Sequence, residues 1–170
     1  MKTFFYLAVL VGTSMCLNFC VQKKEEKPAS DKSAAMKATF IVLNACYNTG
    51  NTEAVDTILS ANSIEHPVDT TMTMPKGPGG LKQFIAMMRR GSPDLKTEIR
   101  MMAADGDLLW VYGMMSGTNT GDLMRRPATN KRWSSPYVDI VRFNSEIKII
   151  EHWGVYDQFK MMRDLGTIPL

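Results

Sequence analysis

The sequence predicts an α+β fold, and three observations carry that expectation. Apolar residues recur with helical spacing through the first half of the folded region, and strand-like runs take over after Pro93. Between two of those runs stands Asp105-Gly106, the strongest hairpin turn signal in the chain. Helices followed by an antiparallel meander imply helices covering one face of a curved sheet.

Each element follows from local pattern. Ala35, Met36, Ala38, Phe40, Ile41, Leu43, Asn44 and Tyr47 keep a helical period that ends at Thr49-Gly50-Asn51. A short second helix follows, with Thr52 as its cap, Glu53 and Asp56 near its N-terminal dipole, and Val55, Ile58 and Leu59 facing inward. Gly77-Pro78-Gly79-Gly80 breaks the chain, and Leu81 to Arg90 forms a third helix with Leu81, Phe84, Ile85 and Met88 on one face. Leu95–Met102 and Leu108–Met115 read as strands on either side of the Asp-Gly turn. A Gly-, Pro- and Arg-rich loop spans Gly117 to Arg132. Trp133–Phe143 and Ile147–Val155 are two further strands around Asn144-Ser145-Glu146, and Gln158–Leu165 is a helix stopped by Gly166.

Domain organisation begins with a leader. Lys2 precedes the apolar run Phe4–Val11, which Gly12, Thr13 and Ser14 end. That run is far shorter than the ~20 apolar residues of a membrane span and has the form of a secretory signal, assigned to residues 1–20. Residues 21–33 are charged and contain Pro, Ala and Ser, as a polar tether does. Residues 34–170 are the folded domain. Leu17-Asn18-Phe19-Cys20 is a degraded lipobox, since Phe19 stands where a small residue belongs. Two export readings therefore stand: a lipoprotein attached to the membrane through Cys20, or a periplasmic or secreted protein. Only Cys46 falls within the domain, so no internal disulfide framework is available.

Composition narrows the function classes. Of 170 residues, 45% are hydrophobic and 22% charged, which excludes wholesale disorder. The net charge of +3 comes from mixed signs without a basic stripe, which argues against nucleic-acid binding. His66 and His152 are the chain's two imidazoles, and neither CxxC nor HxxxH spacing occurs, so no metal site is expected. Neither a phosphate loop nor a Gly-x-Ser-x-Gly elbow is present. The 14 methionines, several in doublets, suit adaptable core packing.

Seven pieces of sequence, in order, resemble the SnoaL-like polyketide cyclases: Ile64-Glu65-His66-Pro67, Gly79–Phe84, Pro93-Asp94-Leu95, Asp105-Gly106-Asp107, Gly117–Gly121, Pro127–Lys131 and Lys148–Trp153. The chain then closes on Leu165-Gly166, as the family does. The resemblance implies the cone-shaped fold shared with nuclear transport factor two and ketosteroid isomerase, with a mostly apolar cavity. It also implies assembly as a homodimer or larger oligomer, a small, largely apolar carbonyl compound as ligand, and acid/base chemistry without a cofactor.

Site residues follow by position. Strand alternation places Tyr137, Asp139, Val141 and Phe143 on one face, and the resemblance turns that face to the cavity. Asp139 is thus the leading catalytic carboxylate, unless Arg142 or Arg100 neutralises it. His66 is the second catalytic candidate, as base or donor, with a surface position as its alternative. Tyr137, His152, Asn119, Trp133 and Asp157 are the ligand-binding candidates, Asp157 reading first as the N-cap of the last helix. Where the cyclases keep their acid/base aspartate, two residues after the histidine, this chain has Gly154. Family membership alone therefore does not bring the family's activity.

Overall fold

A computed structural model describes residues 29–66 and 74–168. The leader, Cys20 and most of the tether lie outside the described residues. Helix α1, Ala29–Thr49, starts inside the segment read as tether. Its Met36, Phe40, Leu43 and Cys46 are buried at helical spacing. Gly50 ends the helix at φ 79°, its N–H returning to the Cys46 carbonyl.

The short helix α2, Val55–Ile58, is not capped by Thr52 as expected. Ala54 holds the cap position, the Thr52 carbonyl accepts the Val55 N–H at 3.1 Å, and Asn51 Oδ1 accepts the Glu53 N–H at 3.0 Å. A strand the sequence reading lacks comes next: β1, Leu59–His66. Its pattern is poor because only Leu59 and Ser63 are buried along it. Helix α3, Pro78–Gly91, begins three residues before the expected Leu81, because Pro78 in the segment read as a breaker serves as its first residue, and it buries Ile85 and Met88.

Four strands then run as the expected meander: β2 Lys96–Asp105, β3 Leu108–Thr118, β4 Arg132–Phe143 and β5 Ile149–Tyr156. Gly106, at φ 60°, makes the tight turn between β2 and β3. The sheet order is β1-β5-β4-β3-β2, every pair antiparallel except β1 with β5. The sheet is curved and does not close, the α+β arrangement read from the sequence. Helix α4, Gln158–Asp164, packs on β4. Among the described residues no helix is long and apolar enough to cross a membrane.

The core has two parts. One gathers Met36 and Phe40 of α1 with Val111, Val141 and Phe143 of the sheet; the other gathers Met88, Leu95, Leu123, Trp133, Met161 and Leu165. The two parts do not meet completely. A cavity of about 130 Å³ lies between them, bordered by Phe40 and Leu43 from the first and by Met88, Leu95 and Met161 from the second.

Candidate functional site

Strand register builds the polar wall of this cavity. Asp139 of β4 lies directly opposite Gly154 of β5, and Glu65 of β1 opposite His152 of β5. Because side chains alternate, Glu65, His152 and Asp139 share the inner face, with Tyr137 two residues along β4. His152 sits between the two carboxylates. Its Nδ1 is 2.8 and 2.7 Å from the Glu65 oxygens, and its Nε2 is 3.2 Å from Asp139 Oδ1. The three side chains are only 21%, 22% and 20% exposed, in the order His152, Glu65, Asp139.

Burial alone would push the His152 pKa down. Asp139 and Glu65, by charge and hydrogen bonding, outweigh it and raise the pKa to about 10. His152 is thus an imidazolium at neutral pH, donating both N–H groups to carboxylates. Asp139 spends one oxygen on that bond. Its Oδ2 has no partner among the described residues.

Two phenols complete this end. Tyr137, 5% exposed, fits because Gly113 opposite it has no side chain; a Cβ there would run into the phenol. Burial and then the Asp139 charge raise the Tyr137 pKa, and burial, followed by Asp139 and Glu65, raises that of Tyr47 well above normal. Both stay protonated, and neither hydroxyl has a hydrogen-bond partner among the described residues. The rest of the lining is apolar and deformable, with Phe84 and five methionines: Met74, Met88, Met115, Met124 and Met161. Met124 is held in place by a tight turn. It and Arg125 both have positive φ, while Leu123 and Arg126 bridge beneath them.

The sequence-predicted residues divide. Asp139, Tyr137 and His152 converge on the cavity. His66 does not: one step along β1 from Glu65, it lies on the outer face, stacked on Trp153 at 4.5 Å and 3.3 Å from Glu151 Oε2. Asn119 is buried among backbone groups rather than ligand space. It donates to the Gly91 and Gly121 carbonyls and accepts from the Thr129 N–H and hydroxyl. Trp133 is 1% exposed within the second core and donates to Ser92 Oγ at 2.9 Å. Asp157 accepts the Lys160 N–H at 2.8 Å as the N-cap of α4. The arginine alternative for Asp139 fails on geometry, since Arg142 points to the other face toward Glu151 and Asp107, and Arg100 pairs with Glu98 at 2.8 Å.

Glu65 and Tyr47 line the cavity and are not among the sequence candidates. Glu65 stood beside His66 in the quoted tetrapeptide. Reading Leu59–His66 as a strand would have put the two on opposite faces. Among the described residues no group of three or more His, Cys, Asp or Glu is arranged to hold a metal ion. The two carboxylates grip opposite sides of one ring and do not converge on a common point.

Residues 38–165 match the family described as SnoaL-like polyketide cyclase. The chain belongs to that family. Its fold is similar to that of TsrD from Streptomyces laurentii, at TM-score 0.72 and 21% identity, covering 79% of this chain and 97% of that one. AclR from Streptomyces galilaeus aligns at TM-score 0.69 and 22% identity, over 81% and 99%. A SnoaL-like polyketide cyclase from Agrobacterium tumefaciens aligns at 0.64 and 19%, over 77% and 98%. No curated protein matches the sequence.

Proposed function

We propose that this domain binds a small, largely apolar carbonyl compound and moves a proton at the carbon beside that carbonyl without a cofactor. The Glu65–His152–Asp139 chain on the cavity wall carries the reading. Glu65 grips Nδ1 and fixes the ring; Nε2–H then holds Asp139, a lining residue of the cavity, by one oxygen, leaving Oδ2 without a partner among the described residues. Asp139 Oδ2 takes the proton from the C–H bond, and the bonding electron pair moves onto the carbonyl oxygen as an enolate. The hydroxyls of Tyr47 and Tyr137 are the donors available to that oxygen.

Gly154 supports this assignment. A Cβ at 154 would come 3.3 Å from Asp139 Oδ1, so the carboxylate reaches from the paired strand into the space beside the glycine. The family's acid/base position is therefore served by its cross-strand neighbour. The test is α-proton exchange in D2O with neutral phenyl ketones and β-keto esters, followed by NMR. Wild type should accelerate exchange, and Asp139→Asn should lose on the order of 10²–10⁴ of it. Equal exchange by both proteins would remove Asp139 from the mechanism.

A second reading, a non-catalytic binding or interaction module, is favoured by one observation: both nitrogens of His152 are already committed. Ligand-induced shifts in the cavity without exchange would select it.

The proposal extends to export and assembly. The leader is read as an export signal, and labelling with a radioactive fatty acid, compared with Cys20→Ala, separates lipidation from free release. On the outer face of the sheet Trp110, Tyr112 and Val138 are 44%, 38% and 38% exposed, an apolar surface suited to a second copy of the chain. Trp110→Glu should convert a dimer to a monomer in light scattering; an unchanged mass would place any interface elsewhere.

A further inference from the structure

The cavity's polar end has a charge character that proton transfer alone does not require. Among the described lining residues there are two carboxylates, one imidazole and no lysine or arginine. Two negative charges face at most one positive charge, so this end is negative whether or not His152 is protonated. The two imidazole N–H groups are both turned to carboxylates. Among the described residues, what remains unpaired there is Asp139 Oδ2, which only accepts, and the hydroxyls of Tyr47 and Tyr137, which can accept as well as donate, the last on a side chain only 5% exposed. The walls add electron-rich faces, the rings of Tyr47, Phe84 and Tyr137, together with methionine sulfurs. Aromatic faces attract cations by their quadrupole, more strongly once water is excluded.

We infer that the ligand is a cation: a protonated amine on a ring-sized apolar body, drawn by the negative charge of this end and by the rings of Tyr47, Phe84 and Tyr137. The inference rests on reading this cavity as the ligand site and fixes the ligand's charge class. Size agrees, because about 130 Å³ is close to the ~150 Å³ that holds one benzene ring in an apolar protein cavity. It also fits proton abstraction. An ammonium group near a carbonyl acidifies the intervening C–H and offsets the enolate charge, so an amino ketone would satisfy both demands. A carboxylic acid would meet two carboxylates and no cationic side chain.

Calorimetric and NMR titration of the whole protein with benzylamine, acetophenone and benzoate at neutral pH tests this. Benzylamine should bind about tenfold or more tighter than acetophenone, the increment of one desolvated cation–π contact. Benzoate should not bind, and the shifts should centre on the His152 ring. In Asp139→Asn, with its folded spectrum retained, the amine advantage should disappear. Acetophenone binding as well as or better than benzylamine would overturn the charge selection and leave the cavity reading intact. An amine advantage that survives in folded Asp139→Asn would also overturn it. Failure of all three probes to bind wild type would overturn both.

Discussion

Consider urea denaturation of wild type and His152→Gln in steps from about pH 6 to about pH 10.5, the window over which a linked imidazolium should titrate. In the folded protein the His152 pKa is raised from 6.5 to about 10. The native state therefore holds its proton more tightly than the unfolded chain. The resulting stability is fully present below pH 6.5, declines between 6.5 and about 10, and is lost above that. At 1.36 kcal/mol per pH unit the shift sets a ceiling of roughly 5 kcal/mol. Water reaches these side chains, which are 20–22% exposed, and screening brings the figure to on the order of 2–3 kcal/mol. Subtracting the His152→Gln curve removes the titration of lysines and tyrosines elsewhere, and imidazole NMR reads the site directly. A difference curve that is flat, or that rises with pH, would refute the clamped imidazolium. So would an imidazole midpoint near 6.5.

Four variants probe other parts of the design. Gly154→Asp alone should lower α-proton exchange, because its Cβ would stand 3.0 Å from His152 Cε1 and 3.3 Å from Asp139 Oδ1, crowding a third carboxylate against the second; the double variant Asp139→Gly, Gly154→Asp should recover to within about tenfold of wild type, the carboxylate having only changed strands. Gly113→Ala should cost roughly 1–3 kcal/mol and weaken ligand binding by forcing the Tyr137 ring into the cavity, measured by thermal melting and titration. Asn119→Ala should cost roughly 1–3 kcal/mol for each backbone group it orphans, while leaving the His152 midpoint unmoved, the pattern of a loop brace rather than a ligand contact.

Where the chain writes its structure in short-range pattern, the sequence is readable. Helix α3 declares itself by the apolar face of Leu81, Phe84, Ile85 and Met88, the β2–β3 turn by Asp105-Gly106, and the inner face of β4 by alternation that carries Tyr137, Asp139 and Val141 together. The failures share a cause. Strand β1 is held by pairing with β5, far away in sequence, so its local pattern is weak and does not show that Glu65 and His66 face opposite ways. Asn119 and Trp133 are polar or amphipathic residues that fill a buried place with their hydrogen bonds satisfied inside the protein. Composition does not separate that use from ligand contact; only the partners do. His152 shows the converse, since its neighbours on β1 and β4 determine its charge and neither adjoins it in the chain.

The single parallel pairing in the sheet sets an order of events. Glu65 and His152 are 87 residues apart and meet only when β1 docks on β5. The β2–β3 hairpin can close over a two-residue turn from neighbouring residues alone, whereas β1 must wait for β5, far along the chain. The carboxylate–imidazole clamp is thus among the last contacts to form and stands at the sheet's edge, where opening begins. Amide exchange should find β1 the least protected strand. A chain that has folded everything else would still lack the Glu65 grip on His152 Nδ1, so the site itself reports that the sheet has been completed.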